Sequence, residues 1–143
     1  MTEDERAMLK EFWEDNIPFN AFLKMKVISV DEGEVEMMVA SRPELTGDPA
    51  RPALHGGVLS ALADAAAGLA VFSTVAKTHK ASTVDIRVDY LRPGDVSEDI
   101  FARAKVIRAG SRVASTQVEI YQKDIDAPIA VATAVYNLVS QAR

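Results

Sequence analysis

From residue 56 to residue 76 the chain carries one ionisable side chain, Asp64, in a run of glycine, alanine, valine, leucine and a few hydroxyl residues. This composition predicts a helix that is apolar nearly all round, and such a helix must be enclosed by protein on most sides. Its small side chains let neighbouring backbone approach closely. Asp64 also interrupts the run, so no stretch of about 18 uncharged apolar residues occurs and no membrane crossing is expected. Whatever the remainder of the chain forms must wrap this helix.

The flanking segments read mostly as strands. Thr2 followed by Glu5 predicts a capping box and a helix start. Met8, Leu9, Phe12 and Trp13 then share one helical face, and Pro18 follows the end. Met25, Val27 and Ser29 alternate with Lys26, Ile28 and Val30. After Asp31-Glu32-Gly33, Val35, Met37 and Val39 alternate with Glu34, Glu36 and Met38. This pattern predicts two strands joined by a tight turn, with glycine where the backbone is strained. Residues 41–54 hold Pro43, Gly47, Pro49 and Pro52 and read as an irregular loop.

Beyond the helix, Val84, Ile86, Val88 and Tyr90 alternate with Thr83, Asp85, Arg87 and Asp89. A turn at 92–95 follows. Strands over 99–108 and 112–123 flank Ala109-Gly110-Ser111, and a turn near Asp126-Ala127-Pro128 leads to a strand over 129–139. That last strand is apolar on both faces and belongs inside a sheet. The expected class is α+β: a curved antiparallel sheet wrapped around one long buried helix. A doubly wound α/β fold is disfavoured, because only one helix lies among the strands. The 143 residues, without repeat or linker, suit a single domain: a helix over 1–16 and a core over 17–140.

Composition excludes several chemistries. There is no cysteine, hence no disulfide, thiolate metal site or cysteine nucleophile. The two histidines, His55 and His79, are too few and too badly spaced for a metal site, and no metal is expected. His79, in Lys77-Thr78-His79-Lys80, reads as a surface loop residue. No phosphate loop, dinucleotide fingerprint or serine nucleophile elbow is present, so no cofactor is expected. The acidic start lacks the basic-then-apolar order of a secretory signal, and a cytoplasmic protein is expected. A net charge of −5 argues against nucleic acid as partner.

Asp64 needs an explanation. Burying a lone carboxylate costs several kcal/mol unless it is paired or protonated. Either it meets a polar gap or a backbone donor, or it is a general base or nucleophile. His55-Gly56-Gly57 stands where loop becomes helix. Free N–H groups and the positive dipole end occur there, and glycines leave room for a ligand oxyanion. The alternative is a tight loop-to-helix turn with a hydrogen-bonded histidine. His55 and Asp64 are nine residues apart, about 13.5 Å along a helix. They can serve one reacting atom only if two antiparallel copies of the helix meet, which predicts a homodimer with two composite sites.

The run Leu54-His55-Gly56-Gly57-Val58-Leu59-Ser60-Ala61-Leu62-Ala63-Asp64 resembles the signature of the PaaI-type branch of hotdog-fold acyl-CoA thioesterases, in the 4-hydroxybenzoyl-CoA thioesterase-like superfamily. The likeness continues through Ser82-Thr83-Val84-Asp85-Ile86-Arg87-Val88-Asp89-Tyr90-Leu91-Arg92-Pro93-Gly94 and covers roughly residues 17–140. It implies hydrolysis of acyl-CoA thioesters, with coenzyme A as part of the substrate. Asp64 would be the base or nucleophile, and Gly56 N–H, from the other subunit, would polarise the carbonyl. His55 would orient the site or the water, with Gly57 beside it and Thr83 placing a hydroxyl near that water. It further implies dimers that pair into tetramers and a CoA contact at Arg108, Gly110 and Arg112, which could equally form an ordinary charged hairpin. Strand alternation puts Thr83 on one face with Asp85 and Arg87. The pocket is expected between the buried helix and the loop over 41–54. Many relatives carry an asparagine six residues before the histidine; Pro49 stands there, with Asp48 beside it. Competing readings are a hydratase or dehydratase of 3-hydroxyacyl thioesters and a non-catalytic acyl-CoA-binding module.

Overall fold

The computed structural model describes residues 1–141. Its centre is helix α3, Gly56–Val75, around which an antiparallel sheet curls. The strands are β1 (Met25–Asp31), β2 (Glu34–Val39), β5 (His79–Tyr90), β6 (Ile100–Ala109), β7 (Val113–Tyr121) and β8 (Ala130–Ser140), in the order β1-β2-β6-β7-β8-β5. β8 lies between β7 and β5, where its two apolar faces belong. This is the hotdog arrangement.

The small residues of α3 do what their size permits. Leu62, Ala63, Ala66, Ala67, Leu69 and Ala70 are fully enclosed. Met37, Ile100, Ala102 and Ile120 complete the core from the sheet. Each enclosed leucine contributes about 1.5–3 kcal/mol through burial. By length and hydropathy α3 would also suit a membrane crossing, but here the sheet takes the place of lipid.

The first hairpin follows its sequence pattern, and Gly33 sits at φ +79° in its turn. Helix α1 (Glu3–Glu11) starts at the capping box: Thr2 Oγ1 accepts from Glu5 N–H, and Thr2 N–H donates to the Glu5 carboxylate. One turn of wider π-helix, Phe12–Asn16, and the short α2, Pro18–Phe22, carry the chain to β1. The expected apolar face of this segment is only half used. Leu9 and Trp13 pack against the core, whereas Met8 and Phe12 are exposed.

Three sequence expectations change. Residues 41–54 are not wholly irregular: a 3-10 turn at Pro43–Leu45 leads into a two-stranded hairpin, β3 (Thr46–Asp48) and β4 (Arg51–Leu54). Pro52 is tolerated there because its carbonyl, not a missing N–H, makes the outside contact, accepting from Val96 N–H. His79 is the first residue of β5 rather than part of a loop, and its Nδ1 lies 2.8 Å from Thr78 Oγ1. Finally, a bulge between Thr83 and Asp85 leaves Val84 unpaired with β8 and reverses the alternation of β5. Ala81 packs inward before it, and Ile86 and Val88 after it. Thr83 therefore faces the helix and does not share a face with Asp85 and Arg87.

Candidate active site

The start of α3 is built by His55. As N-cap it has an extended backbone, and its Nδ1 accepts from Gly57 N–H at 2.8 Å. Nδ1 is then the acceptor, so the proton of the neutral ring resides on Nε2. His55 carbonyl oxygen takes Val58 N–H at 3.0 Å. The alternative of a turn closed by a hydrogen-bonded histidine thus holds for Gly57, whose N–H is committed to the cap. Gly56 N–H is the one left without a partner among the described residues. The segment before the helix braces this corner: His55 N–H donates to Leu45 O at 2.8 Å. A Cβ on Gly47 would lie 2.7 Å from His55 Cα, so only glycine fits that approach. From β5, Tyr90 Oη donates to Gly56 O at 3.0 Å and stands 2.5 Å from Ser60 Oγ.

Two turns further along, Asp64 is half-buried rather than fully enclosed. Its Oδ1 accepts from Thr83 Oγ1 at 2.8 Å and lies 3.0 Å from Tyr136 Oη, which is also 3.0 Å from Asp64 O. The Tyr136 phenol is held well above its usual range, by burial first and then by the Asp64 charge beside it, so it remains a donor. No cation comes within ion-pair distance of Asp64 among the described residues. Two hydroxyls satisfy one oxygen, while Oδ2 carries no hydrogen bond among the described residues. A carboxylate so held has one oxygen fixed and one available for a proton or an electrophile.

Asp64 borders a cavity of about 250 Å³. Its walls are Ala61, Gly68 and Phe72 of α3, Thr83 and Tyr136 of the sheet, and Trp13 from the N-terminal segment. The expectation that residues 41–54 would line this pocket does not hold within the chain; the N-terminal segment does so instead. Trp13 is fixed by donating from Nε1 to Ala65 O at 3.0 Å and by packing on Phe72, with ring centroids 5.7 Å apart. Sequence reading missed Tyr136 and Trp13 as site residues. Tyr136 had a signal, because it is the only residue with a hydroxyl on an inward row otherwise made of Ala130, Ala132, Ala134 and Leu138.

The proposed CoA residues come together at the β6–β7 turn, where Arg108, Gly110 and Arg112 border a depression of about 280 Å³. Neither arginine has an ion-pair partner among the described residues. The register Ala109–Ala114–Tyr136–Thr83 puts this turn in the same row of the sheet as the Asp64 partners. Two strand spacings separate Ala109 from Tyr136 and three separate it from Thr83, roughly 10 and 14 Å. Asp48 is used locally: its carboxylate accepts from Arg51 Nε and Ala50 N–H, each at 2.9 Å. The Arg51 guanidinium first, then that N–H, hold the Asp48 carboxyl below its ordinary range. Among the described residues, no three His, Asp or Glu side chains gather to hold a metal ion.

Comparison with known proteins agrees with this geometry. A family model described as the thioesterase superfamily matches residues 52–129. The chain is 31% identical to the medium/long-chain acyl-CoA thioesterase YigI of Escherichia coli, with 94% of each chain covered. A solved structure from the thioesterase superfamily superimposes with a TM-score of 0.83 at 32% identity, covering 94% of this chain and 98% of that one. A mutant of the phenylacetic acid degradation protein PaaI from Thermus thermophilus gives 0.74 at 29% identity, covering 84% of this chain and 97% of that one.

Proposed function

This chain belongs to the thioesterase superfamily and is an acyl-CoA thioesterase, and from that premise we propose that Asp64 of one subunit activates water against a thioester held by Gly56 of the partner subunit. The observation that carries this reading is the Asp64 carboxylate, with Oδ1 fixed by Thr83 and Tyr136 and Oδ2 unengaged at the edge of an apolar cavity. Oδ2 takes a proton from water as the water oxygen bonds to the thioester carbon. The resulting oxyanion rests on the Gly56 N–H at the positive end of α3, a stabilisation worth about 10²–10³ in rate. Collapse breaks the C–S bond, and the proton held by Asp64 passes to the departing CoA thiolate. The products are a carboxylic acid and free CoA.

The requirement for two chains follows from α3 being one continuous helix, which keeps Gly56 and Asp64 two turns apart. β5 supplies the means: among the described residues it pairs only with β8, which leaves its outer edge open. An antiparallel pairing of β5 with its copy would bring the two α3 helices past each other. Further pairing into tetramers belongs to the same reading. Arg108 and Arg112 would take the CoA phosphates, for which guanidinium geometry is suited. The apolar cavity and the likeness to YigI both favour medium- to long-chain acyl groups.

The test is release of free thiol from a panel of acyl-CoA substrates, wild type beside Asp64→Asn. The expected result is release by the wild type and a fall of about 10²–10⁴ in the variant. Equal rates would remove Asp64 from the mechanism. Tight acyl-CoA binding with no thiol release would instead favour a non-catalytic binding module, a reading supported by the commitment of Asp48 to Arg51 and Ala50.

A further inference from the structure

Two apolar hollows lie end to end along one stripe of α3. Asp64, Gly68 and Phe72 recur every four residues along α3 and lie on neighbouring turns of one side, and Ala76 follows one turn on, just past the helix end. The first hollow, of about 250 Å³, runs from Asp64 past Gly68 to Phe72. The second, of about 330 Å³, lies beneath α1; Met8, Leu9, Phe72 and Ala76 line it, with Glu32 and Thr74 at its polar side. Phe72 lines both. It is eight residues from Asp64, about 12 Å along the axis. Its ring is buttressed by Trp13, itself tied to Ala65 O. The second hollow is bordered by the Lys77–Glu5 ion pair, 3.0 Å long, which joins α1 to the residues just after α3.

Resting on the thioesterase reading above, we propose that Phe72 is the acyl-chain ruler of this enzyme and that the hollow beneath α1 is the extension a longer chain enters when Phe72 is reduced. The thioester carbonyl must lie at Asp64, and apolar walls continuous with that point lead along the stripe to Phe72. A chain that fills the first hollow gains from each methylene it buries. A chain that reaches the ring gains nothing more from lengthening, because Trp13 holds the ring in place. No covalent step is involved; the selection is one of fit. The occupant is the distal end of the substrate's own acyl chain.

Binding isolates this inference from catalysis. S-alkyl-CoA thioethers, which cannot be hydrolysed, are titrated calorimetrically in a series of increasing chain length. In the wild type each added methylene should strengthen binding by up to about fourfold, until a break beyond which affinity is flat or falls. In Phe72→Ala the break should move to longer chains. In Phe72→Ala combined with Ala76→Phe, which refills the second hollow, it should move back. Phe72→Leu keeps most of the packing and should give an intermediate break, which covers the case in which the alanine variant fails to fold. A break that stays at the same length in Phe72→Leu and Phe72→Ala, or affinity that rises without a break in the wild type, overturns the ruler. If thiol release from acyl-CoA persists in that case, the thioesterase reading stands alone. Absence of thioether binding at every length, together with absence of thiol release, overturns both.

Discussion

The two edges of the sheet are finished differently. The β1 edge is closed within the chain. Arg6 donates to Val30 O and pairs with Asp31 at 2.5 Å, while Glu14 accepts from Val27 N–H at 2.7 Å and pairs with Lys26 at 2.8 Å. The N-terminal helices thus meet the backbone groups that an edge strand would otherwise present to a neighbour. The β5 edge has no such cover: Val84 is 65% exposed and Tyr90 54%. Natural sheets rarely leave a long edge strand unpaired without a use for it. The closed edge serves stability, and the open one bears Thr83 and Tyr90, which touch the two ends of the proposed site. In the proposed dimer, chemistry and assembly would fall on the same strand.

Three experiments break or sharpen this contrast. The largest effect is expected from Val84→Asp, which puts a charge on the open edge without touching the Asp64 hydrogen bonds. The chain should sediment as a monomer at micromolar concentration. Thiol release should fall by about 10²–10³, the worth of an oxyanion donor; full activity in a proven monomer would refute the composite site. Next is Tyr136→Phe, which removes one of the two donors to Asp64 Oδ1. Hydrogen bonds to charged groups contribute about 1.5–3 kcal/mol, so kcat should drop by at least roughly tenfold while sedimentation is unchanged. An unchanged kcat would show that Thr83 alone suffices.

The smallest effect should come from the closed edge. Glu14→Gln should leave thiol release unchanged and lower unfolding stability by about 1 kcal/mol. Burial raises the Glu14 carboxyl, but the bonds from Lys26 and Val27 outweigh it and hold the group below its ordinary 4.5. A carboxylate lowered in the folded state binds fewer protons there than when unfolded, so its contribution is present above about pH 4.5 and is lost as pH falls below it. Chemical denaturation of wild type and variant from pH 6 to pH 3 should therefore show their difference shrinking as the solution becomes more acid. A difference that persists at pH 3 would assign the loss to packing.

How much of this was legible beforehand depended on the range of the interaction. α3, the first hairpin and the strands of β6 to β8 are written in local periodicity, and the sheet formed where that periodicity put it. Asp64 was visible because a lone carboxylate in an apolar run is a local anomaly. Its partners were not. Tyr136 is 72 residues away, and no local rule links the two. The bulge at Val84 was hidden for a related reason: alternation predicts a phase, but one unpaired residue reverses it, and only pairing with β8 reveals which residue is skipped. β3 and β4 were concealed by proline and glycine, which normally signal irregular chain but here occupy a short edge hairpin. At the His-Gly-Gly corner the sequence left two alternatives, N–H groups open to a ligand or a turn closed by a hydrogen-bonded histidine, and both occur: His55 closes Gly57 N–H, while Gly56 N–H has no partner among the described residues.

The order of the strands also bears on how the chain is made. α3 leaves the ribosome before β6, β7 and β8, and β5 pairs with β8, the last of them. At about 5–20 residues per second, the stretch from Val75 to Ser140 takes roughly 3–13 s to appear. Until β6 to β8 have emerged, a 20-residue helix with the hydropathy of a membrane span has only part of its sheet to cover it. Nascent-chain handling, rather than the final fold, is then where this protein is most exposed to mistargeting and aggregation, and the lone charge of Asp64 lies midway along the segment at risk.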